Sequence, residues 1–155
     1  MSDIRDLEQL IRAHPFSQGM SDEHIKMLTG CAKNMHFRPG AYLFREDEDA
    51  DTFYWIRAGK VAMEVNAPPR GTIQIDSRSE GEPLGWSWIV EPYRWFCDAR
   101  ALEDVSALAF DGACLRGKFD QDLPLAYEMY RRFVPLIHRS LQATQLQLLD
   151  VYGAS

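Results

Sequence analysis

Ala50-Asp51-Thr52-Phe53-Tyr54-Trp55-Ile56-Arg57-Ala58-Gly59-Lys60-Val61 is the stretch on which the fold turns. Residues 53–57 and 61–65 are β-branched and aromatic runs, the composition of half-buried strands. The intervening Ala58-Gly59-Lys60 reads as the turn of an antiparallel hairpin. Upstream, Arg38-Pro39-Gly40 is a turn signal, after which Tyr42 and Phe44 alternate with Ala41, Leu43 and Arg45 at strand period. Gly40 and Gly59 stand where tight turns between strands need a positive φ.

Downstream, residues 66–71 with Pro68-Pro69 form a loop and 72–76 another short strand, followed by a polar stretch at 77–83. Residues 84–90 are apolar and aromatic and are closed by Glu91-Pro92; 96–102 and 105–111 are two further strands split by Glu103-Asp104. Short strands recurring at roughly 8–12 residues predict a sandwich, barrel or roll. The all-β region covers residues 34–112.

Helices flank it. Ile4, Leu7, Leu10 and Ile11 recur at three and four over residues 3–13, and His14-Pro15-Phe16 ends that helix. Ser21 can cap a second helix from 22 to about 32, with Asp22 and Glu23 at its positive end and Ile25, Leu28 and Ala32 on its buried face. Residues 123–152 lack glycine and open at Pro124, which predicts a long helix. Pro135 removes the hydrogen bond to the carbonyl of Arg131, so a kink or break is expected there. Val134, Ile137, Leu141, Thr144, Leu148 and Val151 form a heptad seam flanked by Gln142, Gln145, Gln147 and Asp150. A single stripe fits two partners equally, the domain's own roll or a second copy of the chain.

At 155 residues the chain is expected to be one domain, residues 1–155. Twenty-three acidic against 17 basic residues leave a net charge of −6, which opposes direct DNA binding. Cys31, Cys97 and Cys114 are far apart and odd in number, so neither a disulfide framework nor a metal or redox pair is expected. That usage, with no signal peptide and no apolar run long enough to span a membrane, predicts a cytoplasmic protein. His14, His24, His36 and His138 have no metal-ligand spacing and are expected at the surface or in turns. Glu46-Asp47-Glu48-Asp49 with Asp51 lacks the glycine and terminal glutamate of a calcium loop and reads as a solvated turn. With no nucleophile elbow and no phosphate-binding P-loop, catalysis is not expected, and neither is a metal or cofactor.

Arg38-Pro39-Gly40 and the 50–61 stretch are joined, in order, by Pro83-Leu84-Gly85, by Ala99-Arg100-Ala101-Leu102-Glu103-Asp104-Val105 and by the long terminal helix. Together they resemble the cyclic-nucleotide-binding domain superfamily, especially the sensor domains of bacterial catabolite-activator and Fnr-like regulators, over nearly the whole chain. The resemblance implies a mainly β fold: a double-stranded, jelly-roll-like β-roll, with N-terminal helices over 1–33, the roll over 34–112 and a C-terminal helix over 123–152. It also implies a phosphate-binding cassette at 84–99, where a helix N-terminus and an arginine hold a cyclic phosphate.

In that cassette Gly85 matches, whereas Trp86 stands where the family has a ribose-binding glutamate. Counting back from Ala99-Arg100-Ala101, the phosphate arginine falls on Trp95, and Arg94 lies one residue early. A deletion or bulge in the loop lets Arg94 serve; on a regular strand the slip turns it to solvent. Leu141-Gln142-Ala143-Thr144-Gln145 resembles the family's purine-contacting segment. The candidate ligand-binding residues are therefore Gly85, Trp86, Ser87 and Arg94 for the phosphate and Thr144 and Gln145 for the base.

Trp86, Trp88, Tyr93, Trp95 and Phe96 form the densest aromatic cluster. Trp88 and Phe96 are expected in the core, while Trp86 and Trp95 are placed to fill the pocket. The resemblance implies a ligand-sensing regulatory domain for cyclic AMP, cyclic GMP or another small ligand, with a homodimer through the terminal helix. The alternative is a degenerate domain that has lost nucleotide binding and holds a protein partner. An enzyme on a cupin-like roll is a third reading, but it lacks a cluster of metal ligands. The family's helix-turn-helix segment finds no counterpart before Ser155, which fits either a stand-alone regulatory domain or a piece of a longer chain.

Overall fold

The computed structural model describes residues 4–153. Its contacts divide the chain into two units, one running to Lys118 and the other starting at Phe119. The first contains α1 (Ile4–Ala13), α2 (Asp22–Thr29) and eight strands: β1 (Ala32–Phe37), β2 (Tyr42–Phe44), β3 (Thr52–Ala58), β4 (Lys60–Asn66), β5 (Thr72–Ser79), β6 (Pro83–Leu84), β7 (Asp98–Ala101) and β8 (Val105–Asp111). They build two four-stranded antiparallel sheets, ordered β1-β8-β3-β6 and β2-β7-β4-β5. This is the expected β-roll.

One strand pairing differs from the sequence reading. β3 and β4 are consecutive but lie in different sheets, so 53–57 and 61–65 are not a hairpin. The chain crosses between sheets at Gly59, whose φ is +95° and where a Cβ would stand 2.2 Å from the carbonyl oxygen of Asp104. Asp104 lies in the other crossing, from β7 to β8. A glycine between two strand patterns serves a tight hairpin or a corner equally well, and only long-range pairing distinguishes them. The local hairpin is β4–β5, paired from Lys60↔Ser79 to Asn66↔Thr72.

β3 has consecutive buried residues because both of its faces are covered. Phe53 and Trp55 point to one side and meet Phe16 at 5.8 and 5.0 Å between ring centroids, while Tyr54, on the other side, meets Phe37 and Phe44. Phe16 belongs to a short 3-10 helix, Pro15–Ser17, that opens on His14. His14 is buried rather than exposed; its Nε2 lies 2.9 Å from the Ile56 carbonyl and its Nδ1 accepts from the Phe16 amide.

The N-terminal helices form largely as expected. On α1, Leu7 and Ile11 are buried but Ile4 is exposed. Ser21 caps α2 by accepting from the His24 amide. That helix stops at Thr29, three residues early, because Ala32 already pairs with Phe110 of β8. Cys31 and Cys114 form a disulfide, contrary to the expectation that the cysteines stay unpaired: strand pairing brings together residues 83 apart in sequence. Cys114 lies in α3 (Gly112–Gln121), a helix the sequence reading left unassigned. Asp111 starts α3 by accepting from the Cys114 amide.

The second unit holds the end of α3 and α4 (Leu123–Gly153). Asp122 accepts from the Leu125 amide and so caps α4. Pro135 does not break the helix, which continues through it; Pro135 and Arg131 are exposed, so water can satisfy the carbonyl that loses its amide. Leu125, Ala126, Met129 and Phe133 are buried, whereas every residue from 141 to 152 is exposed. No described helix is long and apolar enough to cross a membrane.

Candidate functional site

The cassette-like segment begins where β6 ends. Gly85 has φ +86°, and a Cβ there would lie 2.7 Å from the Trp95 ring. The indole therefore sits directly on the glycine. Trp86 follows half-buried, and the short helix that the resemblance implies is here a single 3-10 turn, Ser87–Ile89. Ser87 is buried, and Trp88 is fully buried, stacked on Phe53 at 5.0 Å. Trp88 belongs to the core as expected, but Phe96 is half-exposed. The residue next to it, Cys97, takes the buried position, and burial pushes its thiol up to about 12.

Backbone hydrogen bonds fix which side chains of this loop face inward. The Asp47 amide donates to the Trp95 carbonyl at 2.9 Å, the Trp95 amide to Glu48 at 3.1 Å and the Ala50 amide to Tyr93 at 2.7 Å. The acidic turn at 46–51 is thereby zipped to residues 93–95. Alternation along this zipper sends Trp95 inward, 3% exposed, and Arg94 outward. Arg94 is exposed and forms an ion pair with Asp49 at 3.0 Å.

An open cavity of about 460 Å³ lies beside this ion pair. Phe44, Tyr54 and Trp95 give it aromatic walls, and Asp47, Glu48, Asp49 and Asp51 give it acidic ones. The Tyr54 hydroxyl donates to the Leu43 carbonyl, and burial raises its pKa to about 12, so it stays protonated. Four carboxylates against one guanidinium make this rim unfavourable for an anion.

Of the six candidate ligand residues, the structure gathers Gly85, Trp86, Ser87 and Arg94 into one short segment of the first unit. Thr144 and Gln145 lie on α4 in the second unit, both exposed, and Thr144 Oγ1 donates to the Ser140 carbonyl at 3.0 Å. The charged pair that sequence reading missed is Arg100–Glu64, which crosses from β7 to β4 with bonds of 2.8 and 3.0 Å. Glu64 follows a run of buried apolar residues on β4, and nothing local marks it as paired. Among the described residues no cluster of histidine, cysteine or acidic side chains could hold a metal ion.

A family model for the cyclic nucleotide-binding domain matches residues 34–122, more than half of the chain. The chain belongs to that family. Solved structures with the same fold include a cyclic nucleotide-binding domain from Methylobacillus flagellatus, with a TM-score of 0.77 and 14% identity over 95% of this chain and 83% of that one. The sensor domain of the transcriptional regulator DNR from Pseudomonas aeruginosa gives 0.71 and 19% identity, over 92% and 95%. The catabolite activator protein of Thermus thermophilus gives 0.69 and 21% identity, over 90% of this chain and 63% of that one. No curated protein matches the sequence.

Proposed function

We propose that this chain is a regulatory domain of the cyclic nucleotide-binding family whose cassette does not hold a cyclic phosphate in the family's manner, and that its output runs through self-association of α4. The observation that carries this reading is that Trp95, on which the count back from Ala99-Arg100-Ala101 puts the phosphate arginine, lies buried against Phe44 and Gly85. An apolar ring there supplies no charge and fills the space an anion would need. Trp86 cannot replace a ribose-binding carboxylate. For α4, the exposure of Leu141, Leu148 and Val151 supports a second copy as partner.

The second reading is a sensor for cyclic AMP or cyclic GMP, with Gly85, Trp86, Ser87 and Arg94 around the phosphate. Arg94 favours it, because its guanidinium already stands at the rim of a cavity. To serve, it must leave Asp49 and turn inward.

Calorimetric titration of the purified protein with cyclic AMP and cyclic GMP separates the two. No heat of binding at nucleotide concentrations in the low millimolar range, about −4 kcal/mol or weaker, is the expected result. Saturable micromolar binding that Arg94→Ala abolishes would overturn it and establish the sensor.

A further inference from the structure

The Cys31–Cys114 disulfide is one of several ties on α3. On the same side, Lys118 Nζ donates to the Met27 carbonyl, and just before the helix the amide of Asp111, the last residue of β8, donates to the Cys31 carbonyl at 2.9 Å. Two residues beyond Cys114, Arg116 reaches the opposite way. It donates to the Trp88 carbonyl, and its guanidinium lies 4.2 Å from the centre of the Tyr93 ring. A single helix thus carries the disulfide on one side and a grip on the cassette-like loop on the other.

The bond is reachable. Cys114 is partly exposed and Cys31 is buried, and both cysteines line an open cavity of about 380 Å³ with Gly30, Lys33 and Asp111. That space admits the end of a small thiol. Cys97 is buried elsewhere, and its protonated thiol does not compete for exchange.

We propose that Cys31–Cys114 is a redox-active disulfide, opened by a low-molecular-weight thiol such as glutathione, and that its opening loosens α3 and the cassette-like loop that Arg116 holds. The thiolate attacks the more exposed sulfur, of Cys114, forming a mixed disulfide and releasing Cys31 as a thiolate that takes up the proton the attacking thiol had lost. A second thiol attacks the mixed disulfide at its own half, leaves as the oxidised dimer, and returns Cys114 to the thiol form. Two electrons pass from the thiol pair to the protein, and the same steps in reverse close the bond. With it open, α3 keeps its buried Leu115 and hydrogen bonds but loses its covalent tie to Cys31, just before β1, so the grip of Arg116 on Trp88 and Tyr93 becomes intermittent. This inference does not depend on whether a nucleotide binds.

The test equilibrates the native protein in buffers of stepped reduced-to-oxidised glutathione ratio, traps free thiols by alkylation, and follows amide hydrogen exchange across residues 86–95. The expected result is reversible labelling of Cys31 and Cys114 but not Cys97, with a circular dichroism spectrum that stays folded. Exchange over 86–95 should become about tenfold faster on reduction. Arg116→Ala should exchange fast in both redox states. A disulfide that opens only in denaturant, a reduced protein that is unfolded, or an unchanged exchange rate over 86–95 would each overturn the proposal.

Discussion

The indole of Trp95 lies flat on the ring of Phe44, with centroids 3.7 Å apart and planes 8° from parallel. The pair closes the space above Gly85, where a Cβ would lie 2.7 Å from the indole. Removing the indole leaves a void in a packed layer, so Trp95→Ala should destabilise the domain by about 3–5 kcal/mol in urea unfolding. Gly85→Ala should destabilise it by about 1–3 kcal/mol, from the positive φ and the clash with the ring. The two changes should be less damaging together than their sum, because truncating Trp95 makes room for the new methyl group. Strict additivity in the double variant would show that the ring does not sit where it limits residue 85.

His14 supplies a pH dependence. Burial holds its imidazole below the ordinary value of 6.5, and the Ile56 carbonyl opposes this more weakly. The folded state therefore binds the proton less well than the unfolded chain. Stability from this group is complete above pH 6.5 and is lost progressively as pH falls from there through the lowered folded pKa. Urea midpoints measured from pH 8 to pH 5 should decline in that window, and His14→Gln should flatten the decline. An identical slope in wild type and variant would rule this source out.

Glu64 is nearly buried, and Arg100 is its bidentate partner. Arg100→Met strands the carboxylate, so it should lower the urea midpoint. Adding Glu64→Gln should recover part of the loss, since a neutral amide needs no counter-charge. A double variant less stable than Arg100→Met alone would mean that Glu64 has another partner.

The exposed stripe on α4 gives a prediction about assembly. Leu148→Glu places a charge in the middle of the seam, and sedimentation should then show a shift from dimer to monomer with an unchanged circular dichroism spectrum. A wild-type protein that is monomeric at tens of micromolar would remove the basis for output through this helix.

Much of the roll was legible in the sequence because strand period and turn residues are local signals: β2, β3, β4, β7 and β8 fall where alternation and turns predicted them. The sheet partners were not. Whether Gly59 turns a hairpin or a corner depends on Asp104, 45 positions away, and the Cys31–Cys114 bond depends on β1 meeting β8. Within the site, parity left two directions for Arg94, inward through a bulge or outward on a regular strand, and the zipper to residues 47–50 is the long-range pairing that turns it outward. α3 escaped notice because Gly112 and Gly117 weaken its helical pattern; its cap and its ties to distant residues hold it.

The pairing of β1 with β8 also sets the order in which this chain can fold. Ala32 has to find Phe110, and the crossings at Gly59 and Asp104 must nest against each other before either sheet is closed. Little of the roll can be completed by neighbours in sequence beyond the β4–β5 hairpin, so the search is dominated by closing long loops. On the ribosome, β1 and β3 emerge well before β8, the strand that lies between them, so each waits with an unpaired edge until it arrives.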